Sequence, residues 1–144
     1  MKIIKILTHP YTVIISLFII LINGEGFGGF FILYLLFGLP YAVIHSLLAL
    51  LGVVLLLANY SNYRGKKEGL PNYAIEIMGV LLLILSIFIF FYRDKQHYNY
   101  GTFVQLVPVI TLILFAIIAL LSIVVNVISI YKIVTKKSYH HLNM

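Results

Sequence analysis

Few side chains in this chain can do chemistry, and they are thinly spread. The sequence of 144 residues contains 4 acidic residues and 5 histidines, and it has no cysteine. Several of the ionisable residues stand inside or beside long apolar runs. An ionisable side chain in such a place is costly to keep in a membrane, so it is by default a functional hypothesis.

His9, Glu76 and Asn126 form the first candidate group, near the cytoplasmic end of their apolar runs. An ion pair between His9 and Glu76, with a hydrogen bond from Asn126, would make half of a proton or cation relay. We favour a simpler interpretation. Glu76 then stands in the first turn of its helix, where the helix dipole stabilises a carboxylate, and His9 forms a packing hydrogen bond.

Glu25 and His45 form the second candidate group, on the outer side. Glu25 stands in a stretch, 23–30, in which four glycines fall within six residues. If these glycines let Glu25 fold towards His45, the two side chains would make a small outward-facing site for an ion or ligand. The simpler alternative, which we favour, is a tight solvated turn whose glycines supply positive φ and whose carboxylate is exposed.

The remaining patterns do not indicate an enzyme. A metal site needs three or four ligands, which one glutamate and one histidine do not supply. The sequence contains no P-loop, no H-E-x-x-H, no G-x-S-x-G and no catalytic carboxylate pair. We therefore expect no catalytic residue, no metal and no cofactor.

Composition indicates the elements that position these residues. Hydrophobic residues make up 62% of the chain and charged residues 10%, whereas soluble domains have about 45–50% apolar and about 25% charged residues. The apolar runs are continuous and lack the alternation of a membrane β-barrel. The sequence therefore predicts an all-α integral membrane protein.

The apolar runs predict one domain, 1–144, that is an antiparallel bundle of four transmembrane helices. The predicted segments are helices at 3–22, 40–59, 73–92 and 103–131, a glycine-rich outer segment at 23–39 and a basic cytoplasmic tail at 132–144. Lys2 and Lys5 before the first run resemble the start of a signal peptide. We expect an uncleaved first helix instead, because no small-residue cleavage site follows.

Residues 27–37 are predicted to be a short re-entrant or interfacial piece. A single helix over 30–60 would be about 46 Å long, well beyond the ~30 Å hydrocarbon core of a bilayer. Pro40 suits the first turn of a new helix. The alternative is one long tilted helix with a kink at Pro40.

Small and polar residues recur at helical spacing along one face of each predicted helix. In membranes such faces are where helices touch. The four sets are His9, Thr12, Ser16 and Asn23; His45, Ala49, Gly52 and Asn59; Glu76, Gly79 and Ser86; and Ala119, Ser122, Asn126 and Ser129. Together they favour a compact bundle.

The basic residues predict the orientation. Eight lysines and arginines fall at the N-terminus, in the 61–72 loop and in the tail, against Arg93 and Lys95 on the other side. This bias places both termini in the cytoplasm. The net charge of +6 is then a topology signal, which favours membrane lipid and not nucleic acid as a partner. Abundant Ile, Lys, Asn, Tyr and Phe suggest a bacterial inner membrane.

Two functions fit these observations. The first is a non-catalytic accessory or structural subunit of a larger membrane complex, because loops are short and an aromatic outer patch is typical of a docking surface. The predicted docking residues are Phe27, Phe30, Phe31, Tyr34 and Phe37. The alternative is a small homo-oligomeric transporter or channel, coupled to protons or ions, that uses the intramembrane glutamate and histidines.

Overall fold

A computed structural model describes residues 2–25, 28–41, 43–63 and 69–142. The fold is mostly helical, with one small sheet and two 3₁₀ turns, at Leu39–Tyr41 and Tyr100–Phe103. The other elements, in chain order, are α1 (Lys2–Leu7), α2 (Pro10–Phe18), β1 (Leu21–Asn23), β2 (Gly28–Phe30), α3 (Phe31–Gly38), α4 (Ile44–Tyr63), α5 (Leu70–Tyr92) and α6 (Leu106–Leu142).

Three helices in the described part of the chain are long and apolar enough to cross a membrane. The spans are Ile44–Ser61, Leu70–Tyr92 and Leu106–Thr135, of 18, 23 and 30 residues. At the rise of about 1.5 Å per residue, even the shortest is about 27 Å long. These helices fit a membrane protein, but they do not confirm a bundle of four spanning helices.

The first apolar run is not the single helix predicted over 3–22. α1 ends at Leu7 and α2 begins at Pro10, with His9 between them in an extended conformation (φ −67°, ψ 137°). Proline has no N–H to donate and disfavours helical backbone in the residue before it, which explains the break. After α2 the chain enters β1, so the last predicted helical turn is a strand.

The glycine-rich stretch forms a β-hairpin, which an all-α prediction omits. β1 and β2 pair antiparallel, with Leu21 opposite Phe30 and Asn23 opposite Gly28. Glycine is poorly suited to helices, and the strand pairing satisfies backbone groups that would otherwise be left unpaired. We call the end of the molecule that holds this hairpin and residues 93–105 the hairpin end, and the opposite end, where α4 ends and α5 begins, the tail end.

α3 follows the hairpin as a separate helix. It has 8 residues, about 12 Å, which is too short to cross a membrane. A 3₁₀ turn that contains Pro40 separates it from α4, so the chain does not form one continuous helix here. α3 packs against α2 and α4 and buries Phe31 and Leu35.

The core lies between α2, α3 and the three long helices. Every residue of the four predicted small and polar sets is buried or half-buried. α4 packs most extensively against α5, and the two helices meet at Gly52 and Gly79. A Cβ added to Gly52 would lie 2.9 Å from the Gly79 carbonyl oxygen. The absence of side chains at these two positions therefore lets the helix backbones approach closely.

Residues 9–23 run from one end of the bundle to the other. The ring of His9 lies 4.8 Å from that of Tyr60, which is near the tail end of α4. The Asn23 N–H donates to Thr102 Oγ1 at 2.9 Å, at the hairpin end. Between these points α2 packs against α4, α5 and α6.

Candidate functional site

A polar cluster at the tail end joins α4 to α5. Asn59 Nδ2 donates to the Asn72 carbonyl oxygen at 3.1 Å and to Glu76 Oε1 at 3.3 Å. Asn59 and Asn72 are each only 4% exposed, and Glu76 is half-buried. We call these three residues the Asn59 cluster.

Two polar atoms of the Asn59 cluster are buried without a hydrogen-bond partner in the described part of the chain. They are Asn59 Oδ1, an acceptor, and Asn72 Nδ2, a donor. Buried polar groups are normally paired, so such atoms call for an explanation. A water molecule or another small polar species could satisfy both, because one atom accepts and the other donates.

The three residues of the predicted relay each take a different partner. Glu76 accepts from Asn59. Its expected place in the first turn of its helix is wrong, because α5 begins at Leu70 and has no acidic residue in its first turn. His9 caps α2, where its Nδ1 accepts from the Tyr11 N–H at 3.4 Å, and its ring stacks on that of Tyr11. Asn126 Nδ2 donates to the Ser122 carbonyl oxygen within α6 at 3.0 Å. The sequence alone does not identify Asn59 as the contact of Glu76, although the place of Asn59 in the small and polar set of its helix is a signal.

The structure also places Glu25 and His45 in different surroundings. Glu25 is exposed, and its backbone N–H donates to the Tyr98 carbonyl oxygen at 2.9 Å. His45 lies among aromatic rings, 5.2 Å from Phe90 and 6.5 Å from Phe31. Its Nε2 is buried without a hydrogen-bond partner among the described residues. His45 is thus part of the packing between α3, α4 and α5.

The hairpin is fixed by two threonines that the sequence analysis did not single out. The Leu21 N–H donates to Thr111 Oγ1 at 3.0 Å, and the Asn23 N–H donates to Thr102 Oγ1 at 2.9 Å. Thr102 is fully buried. Gly101 lies so close to Asn23 that an added Cβ would be 2.7 Å from its Nδ2. The hairpin and residues 93–105 are therefore packed together and joined by hydrogen bonds.

The predicted docking residues divide between core and surface. Phe31 is 0% exposed, because it packs edge-on against Phe90 with 5.2 Å between ring centroids; it belongs to the core. Tyr34 is half-buried, also against Phe90. Phe30 and Phe37 are 49% and 65% exposed. Phe27 lies outside the described residues.

Two further large apolar residues that the prediction did not include are exposed, one in α3 and one in the 3₁₀ turn that follows it. They are Leu36 and Tyr41, 54% and 82% exposed. We call the set Phe30, Leu36, Phe37 and Tyr41 the α3 face. Leu36 and Phe37 lie in α3, Phe30 precedes it as the last residue of β2, and Tyr41 follows it in the 3₁₀ turn.

The described residues contain no group of three or more histidine, cysteine, aspartate or glutamate side chains placed to hold a metal ion. Comparison with known proteins finds no matching family model, no matching curated protein and no matching solved structure.

Proposed function

We propose that this protein is a non-catalytic accessory or structural subunit of a larger membrane complex, and that it binds its partner through the α3 face. The observation that carries the proposal is that α3 is buried on one side and exposed on the other. Phe31 and Leu35 are 0% and 5% exposed, whereas Phe37 is 65% exposed. A short helix that is anchored on one side and aromatic on the other is suited to meeting another protein.

The surroundings of α3 support docking. The helix is held at its start by the Phe31 N–H, which donates to the Ile20 carbonyl oxygen at 2.7 Å. The adjoining hairpin is in turn fixed to Thr102 and Thr111. A preorganised surface loses little conformational freedom when it binds, so more of the contact energy appears as affinity.

The interior polar side chains support a packing role. Ser16, Asn126 and Ser129 donate to carbonyl oxygens of their own helices. Ser86 donates to the His45 carbonyl oxygen across α4 and α5 at 2.7 Å. The first three bonds satisfy buried or half-buried hydroxyl and amide groups within one helix, and the Ser86 bond is of the interhelical kind that joins helices in a membrane.

Within the same proposal, residues 9–23 form a fourth membrane crossing beside α4, α5 and α6. The excess of basic residues at the tail end then places both termini in the cytoplasm and the hairpin end outside. We propose the bacterial inner membrane as the location. The α3 face would thus meet its partner at the outer side of that membrane.

Photocrosslinking tests the docking surface in living cells. A photoreactive phenylalanine analogue would replace Phe37, and a matched variant would carry it at Phe88, which is 62% exposed on α5. We expect position 37 to crosslink to one defined protein and position 88 to give no such product. Equal products from both positions, or only products between copies of this chain from position 37, would contradict the proposal.

The alternative function is a small homo-oligomeric transporter coupled to protons or ions. One observation favours it, namely the Asn59 cluster. It holds a half-buried carboxylate beside two buried polar atoms that have no hydrogen-bond partner among the described residues. Intramembrane carboxylates in such settings often mark proton or ion pathways.

Glu76→Gln separates the two functions, because it removes the charge and keeps the size and a hydrogen-bond acceptor. A transporter should lose proton-linked flux in vesicles while its helical content is unchanged. An accessory subunit should keep its partner with this variant. Loss of flux with retained folding would overturn the accessory proposal in favour of transport.

A further inference from the structure

An open apolar groove lies between α5 and α6 and plays no part in the proposed docking. Its volume is about 540 Å³, within the range of about 300–1,000 Å³ typical of small-molecule sites. Its walls include Phe88 and Phe91 on α5, Phe115 and Ala116 on α6, and Phe103 from the 3₁₀ turn before α6. Nearly all of the lining is aliphatic or aromatic.

The groove occupies only one half of the bundle. On α5 it extends from Tyr92 to Ile84, and on α6 it extends from Leu112 to Leu120. Eight residues of helix are about 12 Å long, close to the ~15 Å of hydrocarbon in one leaflet, which is half of the ~30 Å core. The groove therefore begins at the hairpin end and stops near the middle of the bilayer.

The mouth of the groove is aromatic and adjoins positive charge. Tyr92 and Tyr100 line it, and tyrosines are typical of the membrane–water interface. Arg93 follows Tyr92 directly, Lys95 stands two residues further on, and both are exposed. His97 packs on Tyr100 with 4.2 Å between ring centroids.

The acidic residue between the two cations forms hydrogen bonds with the backbone of its own loop. Asp94 Oδ1 accepts from the Tyr98 N–H at 3.2 Å, and Asp94 Oδ2 accepts from the Asn99 N–H at 2.7 Å. The Asp94 carboxylate thus stabilises the turn that it belongs to. Arg93 and Lys95 are exposed, and cations of this kind pair well with phosphate oxygens.

We propose that the α5–α6 groove binds one phospholipid with a net negative headgroup, taken from the leaflet at the hairpin end. An acyl chain occupies the apolar groove, and Arg93 and Lys95 attract the headgroup phosphate. The length of the groove matches one leaflet. The proposal is independent of the partner at the α3 face.

Native mass spectrometry with defined lipids tests the site. The purified protein would be titrated with phosphatidylglycerol, which is anionic, and with phosphatidylcholine, which is not. Ala116→Phe fills the groove, and Ala58→Phe makes the same change at an exposed alanine of α4. We expect one retained phosphatidylglycerol per wild-type chain, loss of this lipid in Ala116→Phe and retention in Ala58→Phe.

A second variant keeps the test informative if Ala116→Phe fails to fold. Arg93→Gln combined with Lys95→Gln changes only exposed side chains, and it should abolish the preference for phosphatidylglycerol over phosphatidylcholine. Lipid retention in a folded Ala116→Phe variant, or an unchanged preference in the double variant, would overturn the proposal. Wild-type dimers that Ala116→Phe dissociates would also overturn it, because a second copy would then occupy the groove.

Discussion

At the scale of single residues, Gly52 and Gly79 set how closely α4 and α5 approach. An added Cβ on Gly52 would lie 2.7 Å from Leu83 Cδ2 and 2.9 Å from the backbone oxygen of Gly79. A side-chain atom can rotate away, but a helix carbonyl cannot. The helices must therefore separate when Gly52 acquires a side chain.

Gly52→Ala should lower the stability of the protein. Overpacking at a tight contact typically costs about 1–3 kcal/mol, which outweighs the gain of roughly 0.5–1 kcal/mol from replacing glycine by alanine in a helix. The measurement is thermal unfolding in detergent, followed by circular dichroism.

Gly69→Ala is the matched control for this change. Among the described residues, a Cβ at Gly69 would meet nothing closer than Pro71 Cδ at 3.6 Å, and its φ of −122° suits any residue. We expect a much smaller shift in the midpoint than for Gly52→Ala. Equal midpoints of thermal unfolding for Gly52→Ala and the wild type would show that the backbones of α4 and α5 leave room for a methyl group at Gly52.

The candidate chemistry is the part that the sequence predicts least well at this scale. Periodicity indicates which face of a helix is buried, and it placed His9, Glu76 and Asn126 on such faces. It does not give the rotation and height of one helix against the next. The contact from Asn59 to Glu76 depends on both, so only the assembled fold reveals it.

At the scale of elements, the hairpin is stabilised by contacts with residues that are distant in the sequence. Its two threonine partners are 79 and 90 residues away in the sequence. The helices α4, α5 and α6 lie where long apolar runs predict helices, because length and hydrophobicity alone favour a spanning helix. The strands have only three residues each, and nothing local in the sequence requires them to pair.

Thr102→Val should loosen the hairpin and leave the three long helices folded. Valine keeps the shape of threonine but cannot accept the hydrogen bond from the Asn23 N–H, and leaving a buried donor unpaired costs about 1–3 kcal/mol. Hydrogen exchange, read by mass spectrometry on peptides that cover 21–30, should therefore become faster.

Thr8→Val is the control for the hairpin experiment. Thr8 Oγ1 donates only to the carbonyl oxygen of Ile4, four residues earlier, so its loss should leave exchange over 21–30 unchanged. Exchange in Thr102→Val as slow as in the wild type would mean that the hairpin is held by other contacts.

At the scale of the whole molecule, the chain has two distinct ends. The hairpin, α3 and residues 93–105 form one end, and the basic loop and tail predicted from the sequence belong to the other. Arg64, Lys66 and Lys67 lie outside the described residues, so the charge asymmetry is a property of the sequence. The three long helices belong to the structure, whereas the side of the membrane on which each helix begins is a prediction.

Cysteine labelling tests that direction, because the chain contains no cysteine of its own. Lys95→Cys and Lys132→Cys are matched variants at exposed positions of the hairpin end and the tail end. In intact bacterial cells, a membrane-impermeant maleimide should label Lys95→Cys at once and Lys132→Cys only after permeabilisation. Labelling of both variants in intact cells would contradict the proposed topology.

The central claim is that the α3 face binds a larger membrane partner. Its most direct test is native mass spectrometry of the protein extracted in mild detergent from its own membranes. Three forms would be compared. They are the wild type, the double variant Leu36→Ala, Phe37→Ala, and a control double variant Leu51→Ala, Tyr131→Ala. The control residues are 50% and 70% exposed, close to the 54% and 65% of the residues that they match.

We predict that the wild type and the control each carry one stoichiometric partner protein, and that the Leu36→Ala, Phe37→Ala variant is folded without it. The same partner bound to all three forms would place the docking surface elsewhere. A monomer or a homo-oligomer in all three would contradict the claim that this protein is a subunit of a larger complex.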